Sequence, residues 1–60
     1  MDWLKQIRLS QNLKQEQVAA NAGIERAYYS MIENGKRKPS VAIAKAIAET
    51  LGFDWTRFFE

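Results

Sequence analysis

The chain has 60 residues, 47% hydrophobic and 27% charged, with a formal net charge of +2 and neither cysteine nor histidine. That length allows one small domain over residues 1–60, and the missing residue types exclude a disulfide framework, a thiolate or imidazole metal site and a histidine general base. No stretch approaches the roughly 18 apolar residues of a membrane span, and Met1-Asp2-Trp3-Leu4-Lys5 lacks the basic start and apolar run of a secretory signal, so the expected setting is cytoplasmic and nucleoid-associated.

Apolar residues recur at helical spacing and Pro39 is the sole proline, so the chain reads as short helices with polar or glycine punctuation and no strands. Trp3, Leu4 and Ile7, with Leu9 at the margin, mark a first helix up to about Ser10. Gln11-Asn12 ends it, and Leu13 packs back on the core. A second helix runs from about Gln15 to Asn21, carries Val18, Ala19 and Ala22 along one stripe, and breaks at Gly23. The third starts near Glu25, faces inward through Tyr29 and Ile32, and stops before Asn34-Gly35, a pair suited to the left-handed backbone that closes a helix. Pro39 and the Ser40 cap introduce a fourth helix, with Val41, Ala44, Ile47, Ala48 and Leu51 as its apolar stripe and Gly52 as its stop. Asp54 caps a fifth, short helix whose Trp55, Phe58 and Phe59 fold back over the bundle, with room for one aromatic to stay exposed.

Two short helices joined by a glycine turn cross closely only when their contact residues are small at the crossing and bulky beyond it. Gln15 to Asn34 meets that requirement: Ala19 stands at the crossing, Gly23 makes the turn, and Val18, Ala22, Ile24, Tyr29 and Ile32 supply the bulk. Here the sequence resembles the helix-turn-helix of the phage repressor and Cro family (XRE-like), through Gln15-Glu16-Gln17-Val18-Ala19, Gly23-Ile24 and Ile32-Glu33-Asn34-Gly35-Lys36. Pro39-Ser40 and Leu51-Gly52 match the limits of that family's fourth helix, so the likeness covers almost the whole chain. It implies an all-α, lambda-repressor-like fold of five short helices, in which helices 2 and 3 form the helix-turn-helix.

With Tyr29 and Ile32 inward, 100° per residue turns Ala27, Ser30, Met31 and Asn34 outward, flanked by Arg26 and Tyr28. This face is expected to enter the major groove of duplex DNA. Arg26, in the first turn, has the fork that donates to guanine O6 and N7 together. Ala27 and Met31 offer apolar contact to thymine methyls, Ser30 donates or accepts, and Glu25 either accepts from a cytosine amino group or complements the helix dipole. Tyr28 completes the base-reading set, or only packs or touches a phosphate.

Phosphate contacts have to flank a reading surface to fix its register. Gln15 leads the second helix, where backbone N–H groups and the dipole favour an anion, and the family resemblance gives that glutamine a backbone-contacting role. Asn34, Lys36, Arg37, Lys38 and Ser40 follow the third helix, where the family's loop meets the sugar-phosphate chain. A basic tripeptide alone reads as a solvated loop, and this context reverses that reading. The resemblance also pairs Arg8 with Glu33 as a structural ion pair.

The expected function is a sequence-specific, double-stranded-DNA-binding transcriptional regulator, a repressor, acting as a homodimer at least on DNA at a pseudopalindromic operator, with no cofactor, membrane or small-molecule ligand. The alternative is an antitoxin-type or adaptor module that presents Ala27, Tyr28 and Met31 to a partner protein. Stacking of Trp3, Tyr28, Tyr29, Trp55, Phe58 and Phe59 on single-stranded nucleic acid fits poorly, since most of them fall on stripes the bundle must bury. No acid/base pair, nucleophile constellation or glycine-rich phosphate loop points to an enzyme.

Overall fold

A computed structural model describes all 60 residues. Four α-helices follow one another, α1 (Asp2–Ser10), α2 (Gln15–Ala22), α3 (Arg26–Glu33) and α4 (Val41–Leu51), and a 3₁₀ turn spans Trp55–Phe59. The expected fifth helix is therefore a 3₁₀ turn. Five residues carry too few i→i−4 bonds to outweigh helix nucleation. The segment instead hangs on Asp54, whose Oδ1 accepts from the Thr56 N–H at 3.0 Å and from the Thr56 hydroxyl at 2.8 Å.

One apolar cluster holds the helices together: Leu4 from α1, Val18 and Ala19 from α2, Tyr29 and Ile32 from α3, Ala44, Ile47 and Leu51 from α4, and Phe58 from the turn. Ala19 is buried, which lets α2 lie close to its neighbours without a large side chain between them. Val41, expected in the inner stripe of α4, is 48% exposed, and Ile43 is half-buried against the core. Position 41 is the first residue of α4, before the helix has settled on the core. Leu9 is likewise exposed, because it lies 100° round the helix from the buried Arg8.

The helix ends use backbone chemistry that suits each residue. Gly23 takes φ +73° between α2 and α3, and Ile24 N–H reaches back to the Ala19 carbonyl at 3.0 Å. After α3 the left-handed residue is Gly35, at φ +77°, while Asn34 stays at φ −83°. Asn12 takes φ +58° after α1, a conformation asparagine tolerates better than most residues. Ser40 Oγ accepts from the Ile43 N–H at 3.2 Å and starts α4. Gln11 Nε2 donates to the Leu51 carbonyl at 2.6 Å, a tie between the ends of α1 and α4 that periodicity does not reveal. Edge-to-face packing of Trp3 on Phe53, with centroids 5.3 Å apart, and of Phe58 against both rings closes the end of the bundle formed by α1 and the C-terminal turn.

Candidate nucleic-acid interface

The inner edge of α3 is fixed by Tyr29 and Ile32, both fully buried, and by Glu33 beside them. The opposite edge is open. Arg26, Ala27 and Asn34 are exposed, whereas Ser30 and Met31 are half-buried. Ser30 Oγ accepts a long hydrogen bond from Asn34 Nδ2 at 3.5 Å. Glu25 precedes the helix as its N-cap in extended backbone, and its side chain makes no capping hydrogen bond, so the carboxylate is free beside the α3 amino terminus.

Tyr28 stands apart from the exposed edge. Its ring is half-buried against the core, and the Arg37 guanidinium lies 6.0 Å from the ring centroid.

The basic loop does not swing free of α3. The N–H groups of Lys36 and Arg37 both donate to the Met31 carbonyl, at 2.8 and 3.2 Å. Lys36, Arg37 and Lys38 are exposed on that returning strand of chain, so cations follow directly upon the open edge. Lys38 Nζ sits 5.3 Å from the Phe59 ring centroid, which joins the loop to the C-terminal turn.

Beneath the surface lies a polar cluster that joins three helices. Arg8 donates through Nε to Glu33 Oε2 and through Nη2 to Oε1, both at 2.9 Å, and through Nη1 to the Leu13 carbonyl at 2.8 Å. Both side chains are nearly buried, at 9% and 2% exposure. Burial pushes the Glu33 carboxyl up, but the hydrogen bonds from Arg8 and Gln15 and the nearby Tyr29 hydroxyl outweigh it and hold the group below the ordinary carboxylate range. The Arg8 hydrogen bond to Glu33 in turn raises the guanidinium above its ordinary value. The Tyr29 hydroxyl is buried with no hydrogen-bond partner, and burial first, then the neighbouring Glu33 carboxylate, raise its pKa.

Gln15 belongs to this cluster as well as to the surface. Its Nε2 donates to Glu33 Oε1 at 3.2 Å, which uses one amide proton and leaves the other. The start of α2 carries half of a capping box: Lys14 N–H donates to Gln17 Oε1 at 2.8 Å, and lysine has no acceptor to return. Gln15 thus stands at the amino end of α2 with its amide anchored on the last residue of α3. The sequence pointed to Gln15 as a surface group, and nothing in the local pattern announced this second attachment.

A family model described as helix-turn-helix matches residues 4–58. The chain is 64% identical over 58 residues to an uncharacterized HTH-type transcriptional regulator, YqaF, of Bacillus subtilis, covering 97% of this chain and 76% of that one. It is 40% identical over 57 residues to the control protein C.MunI of a Mycoplasma species, covering 93% and 77%. A third relative, the uncharacterized HTH-type transcriptional regulator y4dJ of Sinorhizobium fredii, is 37% identical over 46 residues, covering 77% and 60%. No solved structure matches.

Proposed function

The chain belongs to the helix-turn-helix family of DNA-binding transcriptional regulators, and from that premise we propose that it reads an operator with α3 and represses transcription. Residues 1–60 act as one lambda-repressor-like DNA-binding domain. The observation that carries the reading is the exposed edge of α3, with the cationic loop hydrogen-bonded back to Met31 at its end.

The division of labour follows from the groups each position offers. Arg26 reads guanine in the major groove, Ala27 and Met31 contact thymine methyls, Ser30 adds a hydrogen bond, and Glu25 selects cytosine or complements the helix dipole. Gln15, Asn34, Lys36, Arg37, Lys38 and Ser40 hold phosphates on either side. Arg8 and Glu33 tie α1 to the end of α3 and stay off the DNA.

One domain this small makes few contacts, so two copies bind half-sites whose centres lie about 34 Å apart on a pseudopalindrome. Phe59, 39% exposed at the C-terminal turn, contributes to the contact between copies. A dimer that neutralises about eight phosphates gives log K against log salt a slope near −7.

Selection of bound sequences from a random duplex pool tests this directly, with affinity for the selected site titrated against salt. A paired half-site with the stated spacing and a steep slope is the expected result. An absence of even weak binding to random duplex at low salt would overturn the reading in favour of a protein-binding adaptor.

A further inference from the structure

Of the three consecutive exposed cations, two lie beside aromatic rings. Arg37 lies back over Tyr28 on α3, and Lys38 lies over Phe59 on the C-terminal turn, with cation-to-centroid distances of 6.0 and 5.3 Å. The two aromatics come from different elements on either side of the loop. Tyr28 is held by the core on one side, so its ring is a fixed surface rather than a second mobile side chain. The Arg37 backbone is fixed as well, through its N–H to the Met31 carbonyl at 3.2 Å. A guanidinium tied at its root by that bond and at its tip by a ring face has few remaining conformations, whereas a free arginine on a loop would have to be ordered on binding.

Resting on the proposed DNA reading, we propose that Tyr28 and Phe59 are positioning residues that hold Arg37 and Lys38 in place for the phosphate backbone, and that Tyr28 does not read bases. The aromatic residues lower the ordering cost of a phosphate contact without touching the phosphate. Their loss therefore has the signature of a lost phosphate contact, with base preference untouched.

The test uses the whole chain and duplex DNA. Replacing the ring by Tyr28→Leu is expected to weaken random and selected duplexes alike, by about two- to fivefold. It is also expected to reduce the magnitude of the salt slope by up to about 0.9 per protomer. Tyr28→Phe, which keeps the ring face, retains the wild-type slope. In an Arg37→Ala background, Tyr28→Leu adds nothing. Without DNA, the Arg37 side-chain protons of the wild type show a ring-current shift by NMR that Tyr28→Leu abolishes, while the backbone spectrum shows the fold intact.

A changed base preference in Tyr28→Leu, full additivity with Arg37→Ala, or no ring-current shift on Arg37 would overturn the proposal. A wild-type slope near zero would instead sink the DNA reading itself, so the two failures are told apart by the unmutated chain.

Discussion

The carboxylate of Glu33 receives Nε and Nη2 of Arg8 side by side, both at 2.9 Å, from a residue 25 positions earlier in the chain. The last turn of α3 is thereby attached to the first helix of the chain. Such a pair is strong evidence of fixed geometry and weak evidence of net stability, because two charges have been taken out of water to form it.

Removing one partner leaves the other stranded. Arg8→Ala is expected to destabilise the protein by about 3 kcal/mol, enough to lower Tm by more than about 10 °C in a domain of this size. Replacing both together with apolar side chains, Arg8→Met with Glu33→Leu, recovers most of that loss. Thermal melts of the single and double variants check it, and a single variant as stable as the wild type would show that the pair is not holding the fold.

The same pair sets a pH dependence. The Glu33 carboxyl is held below its ordinary value of 4.5, so the folded state binds its proton less readily than the unfolded state. Its contribution is fully present above pH 4.5 and is lost as pH falls through the lower, folded value. Tyr29 works at the other end. Its hydroxyl titrates above the ordinary 10.0, so its contribution is present below that pH and fades as pH rises toward the folded value. Denaturant unfolding at a series of pH values should show both limbs, and Glu33→Gln should flatten the acid one.

Gly23 stands at φ +73° with open space where a side chain would go, so only backbone strain opposes a substitution there. Gly23→Ala is expected to cost about 1–2 kcal/mol, and Gly23→Asn less, since asparagine enters the left-handed region more easily. Equal stabilities for the two variants would show that φ at this position does not govern the cost.

Reading and positioning should separate in binding experiments. Arg26→Ala is expected to lose about 1–3 kcal/mol at one base position and to relax preference there. Lys36→Ala should weaken every duplex alike and reduce the salt slope by about 0.9 per protomer. Gln15→Ala is expected to resemble Lys36→Ala and to leave Tm nearly unchanged, because Arg8 still satisfies both Glu33 oxygens. Competition binding with single-base operator variants distinguishes these patterns.

Period, punctuation and residue inventory determined the four helices, their glycine stops and the inward edge of α3 from the sequence alone. Each is a local property: apolar residues at i, i+3 and i+4 leave one face to bury, and Gly23, Gly35 and Gly52 supply the positive φ that ends three helices. Asp54 likewise announced a cap, but sequence gave no warning that one turn after it would tighten to 3₁₀. Tertiary structure alone decided which groups meet across distance. Gln15 on the Glu33 carboxylate, Gln11 on the Leu51 carbonyl, and Arg37 and Lys38 each on an aromatic ring are long-range or side-chain contacts that leave no periodic trace, and the Arg8–Glu33 pair was implied only by the family resemblance. The exposure of Val41 belongs with them, since a residue at a helix end is buried only if a neighbour happens to cover it.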